Sequence, residues 1–287
     1  MLKISQEHKN LINWYPGHMA KGMREIKTNA NIADIFLIVL DARCPISSYN
    51  EDFDTISPHK PRLFIITKSD LMDKNKKSII EQRFKGSNLL WLDLRKQKSR
   101  SIILSNIQKI TKPKVLRDKE KGLLNSKIKA FVLGIPNAGK STLINLLSQK
   151  KSLKVANFPG VTKTKQWVNI DNFYFMDTPG ILIPKLEDQQ AAAKLAMIGS
   201  IETKIFPIMF LANSFLSIIH QYYPFKFKDE LGVDISIYSQ LNDIDKYNIF
   251  SLLAMRKGFK FNNKLDLNRT YKFFLNWVRN LKNVTYD

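Results

Sequence analysis

The segment of this chain best suited to chemistry is a glycine-rich loop that ends in a lysine and a serine. Residues 134–141 read G-I-P-N-A-G-K-S, between an apolar segment and a stretch with helical periodicity. In loops of this pattern, backbone N–H groups surround nucleotide phosphates, the lysine neutralises the β and γ oxygens, and the serine binds Mg²⁺. Lys140 and Ser141 are predicted to take these two roles. Further nucleotide contacts are predicted at Asn137, Ala138, Gly139 and Thr142.

A second motif, D-T-P-G at residues 177–180, lies 36 residues after Ser141. At this spacing Asp177 is predicted to reach the Mg²⁺ ion, usually through water, and the Gly180 amide is predicted to sense the γ-phosphate. A threonine between the two motifs could complete the Mg²⁺ shell and take part in catalysis. Thr162 is the candidate for this role, and Thr164 is the alternative.

A third motif, T-K-S-D at residues 67–70, indicates recognition of guanine. The Asp70 carboxylate can accept hydrogen bonds from guanine N1 and N2, which adenine does not offer, and the stem of Lys68 can lie along the base. Thr67 stands where the usual N-K-x-D pattern has asparagine, so some loss of affinity is expected. This motif precedes the phosphate loop, whereas ordinary Ras-like domains have the reverse order. The sequence therefore predicts a circularly permuted GTPase domain.

The elements that must position these residues are strands and then helices. Continuous apolar runs at residues 35–40, 63–67 and 130–133 each end at a candidate residue, which is typical of buried parallel strands. We expect a doubly wound, mostly parallel α/β sheet with the nucleotide at the carboxyl ends of its strands. A weaker strand is predicted at 89–94 and a hairpin at 167–170 with 173–176. Helices are predicted at 189–201, 205–223, 245–256 and 268–281. The predicted division is a GTPase domain at 1–186, including an N-terminal segment 1–30, and a smaller all-helical domain at 187–287.

The charge of the chain favours a polyanionic partner. The 287 residues include 46 Lys and Arg against 25 Asp and Glu, a net charge of +21. Nucleic acid is the leading candidate partner. The charge is concentrated between Arg95 and Lys129, where twelve basic residues accompany only Asp118 and Glu120. Such a run is more often a solvated face or a mobile linker than a binding site, although a basic stripe beside a polyphosphate site suits RNA backbone.

Other features of the composition exclude several classes of protein. Cys44 is the single cysteine and the four histidines are scattered, so neither an intramolecular disulfide nor a zinc site is expected. No run of 18 apolar residues occurs, and the N-terminus has no secretory signal pattern. The chain is expected to be cytoplasmic, monomeric, not associated with membranes, and without metal apart from Mg²⁺ bound with GTP or GDP.

These motifs, in this order, resemble the YlqF-type circularly permuted GTPases, and the resemblance runs nearly end to end. It includes W-Y-P-G-H-M-A-K at 14–21, D-A-R-C-P at 41–45, the phosphate loop through Asn145, and 159–167. Residues 256–258 and 266–279 resemble the C-terminal helical domain of that family. The resemblance implies a GTPase that assists late assembly of the large ribosomal subunit, binds its rRNA in the GTP state, and leaves after hydrolysis. It also places an S-A-K-like element near Leu94–Lys96, although that pattern is not clear here.

The residue that orients the attacking water is not evident from the motifs. Ras-like enzymes have glutamine directly after D-x-x-G, but this chain has Ile181, which cannot hydrogen-bond to water. The resemblance implies that His18, in a Gly17-His18 loop, is the catalytic substitute; the alternative is that His18 only docks the N-terminal segment. Asn137 could help to bind K⁺ beside the phosphates, or could merely suit the loop backbone.

Two functional readings remain open from the sequence. One is a GTP-hydrolysing assembly factor, slow alone and stimulated by the ribosomal subunit. The other is an RNA-binding scaffold that uses GTP occupancy as a conformational latch, with incidental turnover. In either case, the permuted order leaves only residues 182–186 between the D-x-x-G motif and the helical domain. We expect this short connection to couple the γ-phosphate sensor to that domain.

Overall fold

The fold is described by a computed structural model, which covers residues 11–12, 14–123, 126–149, 166–182 and 188–287. Its centre is a six-stranded sheet in the order β3-β2-β1-β4-β6-β5, in which only β5 runs antiparallel to its neighbour. This is the mostly parallel sheet predicted from the apolar runs, and the predicted hairpin is β5 with β6. The strands are β1 (Ile35–Asp41), β2 (Arg62–Thr67), β3 (Asn88–Trp91), β4 (Ile128–Gly134), β5 (Gln166–Ile170) and β6 (Phe173–Asp177).

The strand order brings the predicted motifs to one edge of the sheet. β1 lies between β2 and β4, and all three run parallel. The register pairs Asp41 with Thr67 and Val39 with Gly134, so the T-K-S-D motif and the phosphate loop begin at the carboxyl ends of the two strands that flank β1. Parallel strands of this kind bind ligands at that edge. The reversed order of the motifs in the sequence therefore still produces one site.

Helices cover both faces of this sheet. On one face, Phe36 of β1 packs in a cluster with residues of α1 (Gly17–Asn29) and α2 (Lys77–Arg83). On the other face, Leu37 packs in a cluster with residues of α3 (Lys98–Glu120) and α4 (Lys140–Ser148). Successive residues of a strand point to opposite faces, so the continuous apolar character of β1 follows from burial on both sides.

Most of the basic run lies in the long helix α3, which excludes the mobile-linker interpretation for residues 98–120. Ser99, Ile103, Ile107 and Thr111 recur every four residues and are buried against the sheet. This spacing places them along one face of the helix. Basic side chains on the other faces, such as Lys112, are exposed to solvent. Residues 98–120 are therefore an ordered helix with a solvated basic face, and contact of the run with RNA stays a prediction.

The helical region contains five helices among the described residues, one more than the sequence predicts. They are α5 (Gln189–Met197), α6 (Ile208–Tyr222), α7 (Pro224–Leu231), α8 (Asp243–Arg256) and α9 (Leu267–Arg279). The additional helix is α7, and a two-stranded hairpin of β7 (Lys260–Phe261) and β8 (Lys264–Leu265) interrupts the predicted all-helical pattern. Phe215 of α6 and Leu143 of α4 belong to the same hydrophobic cluster. The division at residue 186 stays a prediction.

The end of the described chain fastens the helical region to the loop that follows β1. The Tyr286 N–H donates to the Arg43 carbonyl oxygen at 2.7 Å. The Asp287 side chain accepts from the backbone N–H groups of Ile46 and Ser47, and forms a buried ion pair with Lys194 of α5 at 3.3 Å. These contacts hold the loop after β1 against α5. Within the described ranges, no helix is long and apolar enough to span a membrane.

Candidate active site

The phosphate loop is held in its conformation by close contact with the neighbouring strand. Gly134 has φ +150°, and a Cβ atom there would lie 2.4 Å from the Val39 carbonyl oxygen. Gly139 also has positive φ, +104°, directly before α4 begins at Lys140. The loop therefore delivers backbone N–H groups to the N-terminus of a helix, where the helix dipole favours an anion. This is the arrangement that the sequence predicts for binding phosphates.

Lys140 is buried inside this loop. Its ammonium donates to the carbonyl oxygens of Gly134 at 3.1 Å and Ile135 at 2.9 Å. Burial lowers the pKa of Lys140 to about 8, although the charge of Asp177 partly opposes that effect. A cation held only by neutral carbonyl groups in a buried position is poorly compensated. Phosphate oxygens would supply the missing negative charge.

Ser141 and Asp177 form a second polar pair at the same edge. The Ser141 hydroxyl donates to Asp177 Oδ2 at 2.9 Å. The other carboxylate oxygen, Oδ1, is buried and has no hydrogen-bond partner among the residues that the structure describes. Burial raises the pKa of Asp177. Two hard oxygen ligands with an uncompensated carboxylate oxygen fit Mg²⁺, and the loop beside them fits the phosphates of a nucleotide.

The D-x-x-G segment lies directly on the phosphate loop. A Cβ atom on Gly180 would come within 2.5 Å of the backbone of Pro136, so no larger residue fits without displacing the loop. The backbone N–H of Ile181 donates to the Gly134 carbonyl oxygen at 3.1 Å. The Ile181 side chain is fully buried. It therefore cannot take the water-orienting role that glutamine has in Ras-like enzymes.

Thr67 connects the base-recognition motif to the phosphate loop. Its hydroxyl donates to the Ala138 carbonyl oxygen at 2.6 Å, with the Leu40 carbonyl oxygen 3.1 Å away. The shorter side chain thus makes a direct hydrogen bond between the two motifs. The sequence predicts weaker nucleotide affinity from this substitution, and that effect stays a prediction. This hydrogen bond holds Thr67 at a fixed distance from the phosphate loop.

Lys68 is oriented by Asp41, a buried residue of the D-A-R-C-P segment, through a contact that the motifs do not predict. The Lys68 ammonium donates to Asp41 Oδ2 at 2.6 Å and to the Asn137 carbonyl oxygen at 2.7 Å. Asp41 is 1% exposed and also accepts two hydrogen bonds from the Arg43 guanidinium. Burial disfavours the ionised carboxylate, but Arg43 and Lys68 outweigh this and hold the pKa of Asp41 well below its usual range. Asp41 therefore fixes the ammonium of Lys68 against the phosphate loop.

Asp70, predicted to recognise guanine, lies beside the segment expected to resemble S-A-K. Its Oδ2 forms an ion pair with Arg95 Nη2 at 2.8 Å, and Arg95 also pairs with Asp93. Arg95 lies within Leu94–Lys96, the position given to the S-A-K-like element. The structure therefore brings these two parts of the predicted base pocket together.

The helical region contacts the phosphate loop directly, through the turn at residues 198–200 after α5. The Ser200 hydroxyl donates to the Pro136 carbonyl oxygen at 2.8 Å, and Asn137 Nδ2 donates to the Gly199 carbonyl oxygen at 2.7 Å. The sequence predicts coupling through residues 182–186, most of which lie outside the described residues. It does not predict this contact, because Ser200 and Gly199 belong to no recognisable motif.

His18 lies in the first turn of α1 instead of in a loop, which corrects the sequence interpretation. Four residues later on the same helix, an added Cβ on Gly22 would contact Pro179 and Ile181 at 3.4 Å. Residues four apart share one face of a helix. The face of α1 that carries His18 therefore also lies against the D-x-x-G segment, at Gly22.

Some predicted residues are not tested by the described structure. Thr162 and its alternative Thr164 lie outside the described residues, so the predicted threonine ligand of Mg²⁺ stays a prediction. Thr142 lies in the first turn of α4, next to Ser141. The nucleotide-contacting role given to it, and to Ala138 and Gly139, also stays a prediction.

The sheet, the phosphate loop and the adjoining D-x-x-G and T-K-S-D motifs define a P-loop GTPase with a permuted chain order. Comparisons with known proteins agree. The family model for 50S ribosome-binding GTPases matches residues 129–228. Ribosome biogenesis GTPase A of Bacillus cereus is 34% identical over 86% of this chain and 83% of its own length. The corresponding protein of Priestia megaterium is 33% identical over 96% and 95%. The chain belongs to the ribosome biogenesis GTPase A family.

Solved structures support the same fold. The crystal structure of YlqF from T. maritima bound to GNP covers 93% of this chain and 97% of its own length, with a TM-score of 0.61 and 22% identity. The likeness extends across both the sheet and the helical region. This chain is thus a GTPase of ribosome biogenesis that binds guanine nucleotide, and such domains typically bind Mg²⁺ with it.

Proposed function

We propose that this GTPase assists late assembly of the large ribosomal subunit, binding rRNA in the GTP state and leaving after hydrolysis. The observation that carries the proposal is the pair of hydrogen bonds between residues 199–200 and the phosphate loop. Through them, a change in the loop on nucleotide binding would reach the helical region. The match to the 50S ribosome-binding family model and the net charge of +21 support a large-subunit, RNA-containing partner.

The roles of the nucleotide-binding residues follow from their positions. Lys140 would move from the loop carbonyl groups to the β and γ phosphates, where its charge is compensated. Ser141, Asp177 and Thr162 would hold Mg²⁺, and Asp70 would select guanine, with Lys68 held along the base. When bound, Mg²⁺ supplies positive charge to the phosphate oxygens. The Gly180 N–H would then bind the γ-phosphate.

The proposal can be tested with purified large ribosomal subunits. We expect the protein to sediment with them in the presence of a non-hydrolysable GTP analogue and to dissociate with GDP. Single-turnover GTP hydrolysis should accelerate when large subunits are added. GTP-independent sedimentation without stimulation would contradict the assembly-factor role. Nucleotide-dependent binding without any stimulation would instead support a scaffold that uses GTP as a latch.

His18 is the proposed catalytic residue that replaces the missing glutamine. Ile181 is buried and cannot hydrogen-bond to water, whereas His18 lies one helical turn from the contact between Gly22 and the D-x-x-G segment. A histidine at the start of a helix can be brought to the nucleotide by a small movement of α1. Binding to the subunit would provide that movement, and hydrolysis by the free protein is therefore expected to be slow.

Replacing His18 with alanine is expected to lower subunit-stimulated hydrolysis by about 10²–10⁴-fold, the range for loss of one acid–base group. GTP affinity and subunit binding should stay at wild-type values. Lys21→Ala provides a control, because Lys21 is exposed on the same helix. Wild-type stimulation of His18→Ala would leave only the docking role for this histidine.

Three further predictions from the sequence remain part of the proposal. They are K⁺ binding by Asn137, a monomeric state and a cytoplasmic location. Asn137 would provide its side-chain oxygen to K⁺ while its Nδ2 stays bonded to Gly199. Equal turnover rates in K⁺ and Na⁺ buffers would remove the potassium role. The monomeric state and the cytoplasmic location also stay predictions.

A further inference from the structure

The β7–β8 hairpin is an exposed turn between α8 and α9 whose residues serve no purpose in the nucleotide site. Phe261 pairs with Lys264 across the hairpin, and Asn262 and Asn263 form its two-residue turn. Both asparagines have positive φ, 48° and 58°. Two consecutive residues with positive φ are the requirement of a tight type I′ turn, and asparagine accepts this conformation at low cost. The tip is therefore a defined, compact projection.

An aromatic side chain projects from this hairpin into solvent. Phe261 is 69% exposed, although burial of a phenylalanine ordinarily stabilises a protein. It borders a surface cavity of about 570 Å³. Met209, Tyr271, Lys264, Asn262 and Asn268 line the same cavity. The cavity thus combines an exposed aromatic face with amide groups that can both donate and accept hydrogen bonds.

The surroundings of the hairpin are strongly basic. Six exposed cations lie between residues 256 and 272, and Asp266 is the only acidic residue in that interval. The Asp266 carboxylate caps α9 by accepting from the Arg269 N–H at 2.9 Å. Within the described ranges, none of the six cations forms an ion pair. They are Arg256, Lys257, Lys260, Lys264, Arg269 and Lys272.

This combination fits one kind of ligand. Uncompensated cations attract a polyanion, which favours nucleic acid over an ordinary protein surface. An aromatic face in a cavity with amide groups suits an unpaired base, whose plane can stack and whose edge can form hydrogen bonds. A regular RNA duplex keeps its bases stacked inside and would contact only the cations. Single-stranded RNA can contact both the cations and the aromatic side chain.

We propose that the β7–β8 hairpin binds a single-stranded segment of RNA, with Phe261 stacked on one unpaired base. Asn262 and Asn268 contact the edge of that base, and Lys260 and Lys264 contact the flanking phosphates. The inference rests on the proposed function, since it assigns the part of the helical region that contacts rRNA. The proposed RNA site is separate from the nucleotide-binding motifs, which do not predict it.

The test measures binding of a fluorescent single-stranded RNA oligonucleotide without secondary structure, and of a duplex of the same length, to the full chain. We expect Phe261→Ala to weaken single-strand binding by about 5- to 150-fold, the loss of one stacked base, with little change for the duplex. Phe261→Trp should retain tight binding. Phe225→Ala is the matched control, because Phe225 is 65% exposed in the same region but does not line the cavity.

A separate arm tests the phosphate contacts. Lys264→Ala should reduce the slope of log affinity against log salt concentration by about 0.7, the value for one phosphate contact on a single strand. Wild-type affinity of Phe261→Ala for the single strand would overturn the proposal, as would an equal loss in Phe225→Ala. If Phe261→Ala loses binding to large subunits while its affinity for the oligonucleotide is unchanged, the hairpin binds a protein and the proposal is wrong.

Failure of this inference can be distinguished from failure of the proposed function. If the wild-type protein sediments with large subunits in a GTP-dependent manner and Phe261→Ala binds RNA normally, only the hairpin site is excluded. If the wild-type protein does not sediment with large subunits, the assembly role is excluded whatever the oligonucleotide measurements show.

Discussion

Replacing Lys140 with alanine is expected to weaken GTP binding by roughly 30- to 5,000-fold, or about 2–5 kcal/mol. That range applies to removal of one partner from a buried, hydrogen-bonded charge pair, which is what Lys140 and the phosphates would form. Isothermal titration with GTP and Mg²⁺ measures the change directly. Hydrolysis at saturating GTP should also fall, because in its predicted role Lys140 would neutralise the oxygens on which charge develops.

The same substitution should not destabilise the nucleotide-free protein. Among the residues that the structure describes, the Lys140 ammonium donates only to carbonyl oxygens of its own loop, and burial lowers its pKa to about 8. The charge is therefore unfavourable until phosphates arrive, and Lys140→Ala should melt at or above the wild-type temperature without nucleotide. Lys129→Ala, which removes an exposed lysine from β4, should change neither property. Unaltered GTP affinity in Lys140→Ala would contradict the assignment of the phosphate loop.

The second large effect is expected at Asp41, where alanine should destabilise the protein by about 3–5 kcal/mol. The substitution leaves Arg43 and Lys68 close together without their shared counter-ion. Arg43 is 8% exposed, so water cannot compensate its charge. The free energy of unfolding in urea at neutral pH measures the loss. Guanine-nucleotide affinity should also fall, since the Lys68 ammonium would no longer be fixed against the phosphate loop.

Glu51→Ala is the control for the Asp41 prediction. Glu51 forms an ion pair with Arg83, and both side chains are exposed. Exposed pairs contribute about 0–1 kcal/mol, so this variant should unfold close to the wild-type urea concentration. Equal losses in the two variants would show that the Asp41 network has no special stabilising role. The pKa of Asp41 is lowered, so its contribution is present at neutral pH and is lost as pH falls through the native-state pKa.

The sequence predicts the parallel sheet well because its strands are buried on both faces and end at the chemical motifs. The runs at residues 35–40 and 63–67 correspond closely to β1 and β2. Motif residues also come together as expected, because Lys140, Ser141 and Asp177 follow strands whose ends share one edge. For these strands and motif residues, the local sequence pattern and the tertiary environment favour the same structure.

The sequence fails where tertiary contacts override local preference. Gly22 argues against a helix, since glycine inside a helix costs about 0.8–1.0 kcal/mol relative to alanine, yet α1 forms and buries Met19 and Ile26. Pro113 interrupts the helical pattern of the basic run, but it lies within α3. Burial of one helix face outweighs these local costs.

Several site contacts have no signature in the sequence. The bonds of Ser200 and Asn137 join parts of the chain about 60 residues apart, and the ion pair between Lys68 and Asp41 joins two adjacent strand ends. The segment resembling D-A-R-x-P indicates that Asp41 is special, but it does not reveal that Asp41 orients Lys68. Spacing alone cannot show which side chains meet.

The contact of residues 199–200 with the phosphate loop also sets a thermodynamic condition on the reaction cycle. If GTP changes affinity of the helical region for its ribosomal partner by some factor, the partner must change GTP affinity by the same factor. A partner that prefers the GTP form will therefore raise GTP affinity while it is bound. In the proposed cycle, hydrolysis would then favour release from the particle, because exchange for GTP would favour staying. The free energy of GTP hydrolysis gives the cycle its direction, and the two hydrogen bonds would carry the coupling between the two sites.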